Sequence, residues 1–126
     1  MSSILQHTSL ESFRKYIGIS YGDYDCYEII QLYYKEVLEK SLDDLYAARP
    51  SKLETESYIS NEKSNFLEVN EPELGDIIVF RIFGLPCHVG MYVNEDIFFH
   101  SREYTDACLE KLSVWKKRVV GYYRWP

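Results

Sequence analysis

The 126-residue sequence contains no apolar run long enough to cross the hydrocarbon core of a bilayer, so no membrane span is expected. It also lacks a basic surplus. Fourteen Lys and Arg against 20 Asp and Glu leave a formal net charge of −6, which argues against a face that binds a nucleic-acid backbone. Cysteine is scarce. The three present, Cys26, Cys87 and Cys108, are odd in number and irregularly spaced, so they outline no disulfide scaffold and point to synthesis in a reducing compartment. Met1 to His7 show no basic region ahead of an apolar segment, so no signal peptide is expected. With no internal repeat, low-complexity tract or linker, residues 1–126 read as a single domain that can bury one core without crosslinks.

What the chain does have is tyrosine, twelve in all. Each offers a broad contact area with a polar tip, suited to half-buried sheet positions or to an interface. The organising stretch is Tyr21-Gly22-Asp23-Tyr24-Asp25-Cys26 and the residues after it. Gly, Asp and Tyr alternate there without periodicity, which marks a loop. From Cys26 the pattern becomes helical, with Ile29, Ile30, Tyr33, Tyr34, Val37 and Leu38 on one stripe. Asp25 stands at the N-cap position and Glu28 completes an acidic capping box. Cys26 is thereby expected in the first turn, where the helix dipole favours the thiolate and backbone N–H groups can hold an oxyanion. Most cysteines outside disulfides merely fill core gaps, and the cap alone does not decide between the two readings.

Upstream, Thr8-Ser9-Leu10-Glu11 starts a helix with Leu10, Phe13 and Ile17 on its apolar side, and Gly18 stops it. Downstream, Pro50 bars helix continuation, and Ser51-Lys52-Leu53-Glu54 opens a short polar surface helix to about residue 62. The composition then changes. Ile77 to Ile82 is a near-continuous β-branched and aromatic run, the mark of a central strand covered on both faces. Phe83-Gly84-Leu85-Pro86 reads as a turn. His88 to Val93 alternates, so Val89, Met91 and Val93 face one way and His88, Gly90 and Tyr92 the other. Asn94-Glu95-Asp96 is a hairpin loop and Ile97 to His100 the return. Strands near 108–112 and 119–125 complete an α+β domain, helices first and antiparallel strands after.

The hairpin sets up the chemistry. A three-residue loop places Val93 against Ile97 and Gly90 against His100, so His88 and His100 become diagonal neighbours on one face. A two-residue loop would throw them onto opposite faces. In the favourable register Cys26, His88 and His100 form a nucleophile, a base and an orienting group. Other readings stand beside this one. A strand histidine is commonly structural, and Cys108 and Cys87 read as packing. Zinc held by Cys26, His88 and His100 is chemically suitable, but no close Cys-x-x-Cys pair anchors it, so the sequence implies no metal.

At these residues the chain resembles the NlpC family of papain-like cysteine peptidases, and within it the short branch found in phage tails. The resemblance rests on Tyr21-Gly22, Asp25-Cys26, Leu74-Gly75-Asp76-Ile77-Ile78-Val79-Phe80, Gly84 to Tyr92 with His88-Val89-Gly90, Phe98-Phe99-His100, and the closing run from Trp115 to Arg124. It implies N-terminal helices packed on a sheet of four to six antiparallel strands. It also implies Cys26 as nucleophile, His88 as base, His100 as third polar member, Tyr21 near the carbonyl oxygen, and no cofactor. The implied substrate is the amide bond of peptidoglycan stem peptides, with other tail-tip proteins as partners. The implied setting is synthesis in a host cytoplasm and residence in a virion. One departure is visible: the family carries a small residue or Trp and then Gly after the cysteine, where this chain has Tyr27-Glu28. That keeps a second expectation in view, a catalytically silent component of a tail tip. Intracellular acyl transfer through the same thiol is a third.

Overall fold

A computed structural model describes residues 10–42, 66–82 and 85–126, with backbone only at 85–87. Residues 10–13 are helical and run into a 3-10 turn, Arg14–Tyr16. Then come helix α1 (Cys26–Glu36), strands β1 (Leu67–Val69), β2 (Ile77–Ile82), β3 (Leu85–Asn94), β4 (Ile97–Arg102) and β5 (Asp106–Lys111), the short helix α2 (Leu112–Trp115), a second 3-10 turn, Lys116–Arg118, and β6 (Val119–Arg124). The strands make one antiparallel sheet of six in the order β1-β6-β2-β3-β4-β5. The α+β class and the antiparallel sheet match the sequence expectation. The expected polar helix over 51–62, the Thr8-Ser9 start and the Phe83-Gly84 turn lie outside the described residues.

Alternation along the strands divides the core in two. Ile77, Val79, Val89, Met91 and Phe99 pack under α1 against Ile29, Ile30 and Tyr33. On the other face Ile78, Phe80 and Phe98 pack with Leu112 and Trp115. Ile77 through Phe80 are each wholly buried, which is why this stretch reads as an unbroken apolar run rather than as an alternating one.

Three details depart from the sequence reading. The N-terminal helix buries Phe13 and Tyr16 and leaves Leu10 and Ile17 about 41% and 44% exposed. Tightening into the 3-10 turn brings positions three apart onto one side, so Tyr16 replaces Ile17 in the core. The Phe13 ring stacks on Tyr33 at 4.2 Å, and the Tyr16 hydroxyl donates to Glu36 Oε1 at 2.7 Å. Second, Leu85 and Pro86 belong to β3 and not to a turn, paired with Ile82 and Arg81. Third, β1 was not legible, because three residues show no periodicity. Gly75 takes φ +94° in the turn before β2, a conformation costly for any side chain. Beside it Asp76 accepts both Arg124 Nε at 3.0 Å and Nη2 at 2.9 Å, fastening β6 to the start of β2.

The β3–β4 connection combines both loop lengths that the sequence allowed. The turn is two residues, Glu95-Asp96, with Asn94 opposite Ile97. The register then shifts between Tyr92 and Asn94, so Val93 is an additional residue and Tyr92 faces Phe98, Met91 faces Phe99. From Tyr92 backward the pairing is that of a three-residue loop. Continuing it sets Gly90 against His100, where an added Cβ would stand 3.0 Å from Phe80 Cε2 and from Phe98 Cδ2. Gly90→Ala is expected to lower stability by about 1–3 kcal/mol through overpacking, read as a lower urea midpoint with an unchanged slope. An unchanged midpoint would show that the two phenylalanines yield without cost.

Candidate active site

The start of α1 is built as its sequence requires. Asp25 Oδ1 accepts the backbone N–H groups of Tyr27 at 3.0 Å and Glu28 at 2.9 Å, while the Asp25 N–H donates to Glu28 Oε1 at 3.2 Å. This reciprocal box holds Cys26 in the first turn, at the positive end of the helix dipole. Cys26 is 5% exposed and packs in the cluster beneath α1. Of the two residues that depart from the family pattern, Tyr27 is buried in the same core and Glu28 is engaged in the cap.

The two histidines meet. His88 Nε2 and His100 Nδ1 are 2.8 Å apart, both rings buried. They pack on the face of Phe80, Phe98 and Trp115, with the His100 ring 4.5 Å from Phe98 and 5.2 Å from Trp115. Phe80, Phe98 and Trp115 form one apolar cluster and Cys26 belongs to the other. The loop that delivers Cys26 is tied to the end of the sheet where His88 sits. The Tyr21 N–H donates to Asp106 Oδ1 at 3.1 Å, and Asp106 pairs with Arg102 at the close of β4. Tyr21 itself is half-buried there.

A fourth group completes the histidine pair. His100 Nε2 hydrogen-bonds Glu110 Oε2, and the other carboxylate oxygen accepts from Trp115 Nε1 at 3.3 Å. A carboxylate only accepts, so the His100 proton sits on Nε2 and Nδ1 is left as an acceptor. His88 must then donate from Nε2, which leaves a lone pair on its Nδ1. Glu110 thus fixes the tautomers of both imidazoles and leaves the outer His88 nitrogen basic. Sequence reasoning passed over Glu110. The signal was parity: Cys108 pairs with His100, so Glu110 two residues on shares that face, but the β4–β5 register could not be read from the chain. Cys108 also has polar neighbours, its Sγ lying 3.7 Å from Thr105 Oγ1 and 3.9 Å from Glu110 Oε2.

Burial holds His88 well below the usual imidazole range, with the His100 ring and the Arg102 charge adding to the effect. Burial also lowers His100, a shift that hydrogen bonding to Glu110 partly offsets. Both rings are therefore neutral at pH 7.

A family model described as NlpC/P60 matches residues 13–124. The chain belongs to the NlpC/P60 family. Solved structures share its fold. The NlpC/p60 domain of peptidoglycan hydrolase SagA superposes with a TM-score of 0.62 at 13% identity, covering 94% of this chain and 97% of that one. A lipoprotein-like NLP/P60 protein from Staphylococcus aureus gives 0.63 at 22% identity, over 95% of this chain and 41% of that one. Ly7917, solved with the hydrolysis product of MDP, gives 0.60 at 15%, over 96% of this chain and 63% of that one. The chain thus spans less than two thirds of the latter two. At these identities the likeness speaks for the papain-like fold. No curated protein sequence matches the chain.

Because the folded rings resist protonation, the unfolded chain takes up protons first as the pH falls. Stability from these groups is complete above the ordinary imidazole value of 6.5 and is lost as the pH drops below it. The thermal midpoint should fall between about pH 7 and pH 5, and fall less in His88→Gln. Parallel curves for the two proteins would contradict the burial argument.

Proposed function

We propose that this chain is a cysteine endopeptidase that hydrolyses amide bonds in peptidoglycan stem peptides. The observation that carries the reading is the hydrogen-bonded His88–His100 pair, its tautomers set by Glu110, at the end of the sheet to which the capped loop before Cys26 is fastened. Membership of the NlpC/P60 family supports the reaction class, and the peptidoglycan hydrolase among the similar structures supports the substrate class.

In this proposal the Cys26 sulfur and His88 Nδ1 meet around the β3 terminus, where pairing shifts between Phe80 and Arg81 and strict alternation is broken. Sγ attacks the amide carbon while its proton passes to His88 Nδ1. The oxyanion rests on the Cys26 N–H, with Tyr21 beside it. His88 then protonates the leaving amine, and water releases the acyl group with His88 again taking a proton. His88 is held neutral before the attack, with its Nδ1 open to the incoming proton. A phage-tail setting, with neighbouring tail-tip proteins as partners, belongs to the same proposal and rests on the closing Trp115–Arg124 resemblance.

A second reading, a catalytically silent structural component of a tail tip, is favoured by one observation: Tyr27 and Glu28 follow Cys26 where the family carries a small residue or Trp and then Gly, with Tyr27 buried and Glu28 held in the cap. Incubation with purified peptidoglycan separates the two. New amine ends are expected with the wild type and not with Cys26→Ala or His88→Ala. No release by a folded wild type would establish the silent reading. Glu110→Gln is expected to lower kcat at least about tenfold with little change in KM, because a misdirected tautomer removes the base and not the binding site. The acid limb of kcat/KM should lie below pH 6.5, following the lowered His88. Iodoacetamide labelling of Cys26 should shift in pH when His88 is replaced by Ala, and an unaltered profile would mean that the two groups share no proton.

A further inference from the structure

Beyond the hydrolytic reading, the outer end of the histidine pair has a second chemistry. His100 Nε2, Cys108 Sγ and a Glu110 carboxylate oxygen all lie within 4.8 Å of one another. Nitrogen, sulfur and oxygen donors of this kind suit zinc, and three protein ligands with one open position make a common four-coordinate set. Around one zinc ion such donors stand roughly 3–4 Å apart, so forming the site requires a small rotation of the Cys108 side chain and an opening of the direct His100–Glu110 hydrogen bond to admit the ion. Cys108 Sγ is already 3.9 Å from Glu110 Oε2.

The surroundings fit an ion that comes and goes. Cys108 and Glu110 are carried on β5, at the sheet margin, and are only partly buried, whereas His100 is wholly buried at the back. Phe98 and Trp115 form the apolar wall behind it. An ion can therefore enter from the β5 side and water can fill the fourth position.

We propose that His100, Cys108 and Glu110 form a binding site for a zinc-type divalent cation that switches the histidine pair off. The switch follows from proton positions. Without metal, His100 carries its proton on Nε2, directed at Glu110, and His88 donates from Nε2 to His100 Nδ1. Metal on His100 Nε2 moves that proton to Nδ1, which then donates to His88 Nε2. His88 keeps one proton, now on Nδ1, the nitrogen that has to act as base. Each ring remains neutral, and the Cys108 thiol proton leaves to solvent as the sulfur binds the ion. The inhibitory consequence rests on the hydrolytic reading above; the binding site does not.

Titration of the metal-stripped chain with Co2+ tests the site. One equivalent should produce tetrahedral visible bands and a thiolate-to-cobalt charge-transfer band, both removed by Zn2+. The charge-transfer band should persist in the Cys26→Ala, Cys87→Ala double variant and vanish in Cys108→Ala. Glu110→Gln should weaken cobalt affinity at least about tenfold. A charge-transfer band that survives Cys108→Ala, or none in the wild type, overturns the proposal. On peptidoglycan, Cys108→Ala should retain activity and need at least about tenfold more Zn2+ for half-inhibition. If the chain has no activity, the spectroscopic arm still decides the metal site. If it is active and binds cobalt at Cys108 but Zn2+ inhibits wild type and Cys108→Ala alike, the switch is overturned.

Discussion

One unpaired residue in the β3–β4 hairpin decides where both imidazoles point. The turn alone, two residues long, would put His88 and His100 on opposite faces of the sheet; the bulge at Val93 restores the parity. Everything on the outer face follows. His88 and His100 come within hydrogen-bonding distance, Gly90 leaves room for Phe80 and Phe98, and Trp115 closes over the rings. Two imidazoles forced together in a dry environment cannot both be charged without large cost, so the same packing that aligns them keeps them neutral. Arg102, whose guanidinium lies 4.7 Å from the centre of the Trp115 ring, reinforces this.

The other face is organised by the capped helix. Asp25 and Glu28 satisfy first-turn donors, and the stripe Ile29, Ile30, Tyr33 seats the helix on β3 and β4. Its first turn also carries Cys26, which is 5% exposed beside the capping box.

Much of this was legible in the chain. The capping box around Cys26, the shared face of His88 and His100, and the Ile77–Ile82 strand, doubly covered through Phe80 but with Arg81 exposed, are local patterns, readable from spacing and residue type. The loop length itself was misread as three residues, yet the register survived because a bulge and an added loop residue shift parity identically. What could not be read was non-local. Glu110 becomes a partner of His100 only once β5 is laid against β4, and Tyr16 displaces Ile17 from the core only through a tightened last turn.

The stretch that leads into α1 has a further effect on the sheet margin. Gly18 N–H donates to the Ala107 carbonyl at 2.8 Å, and Ala107 N–H donates to the Ile19 carbonyl at 3.0 Å. The chain thereby lays its own backbone against β5, occupying ladder positions that another molecule's strand would otherwise take. At the opposite margin β1 spans only three residues, too short to template much cross-chain pairing. Both margins of the sheet are in this way guarded against edge-to-edge pairing with a second molecule.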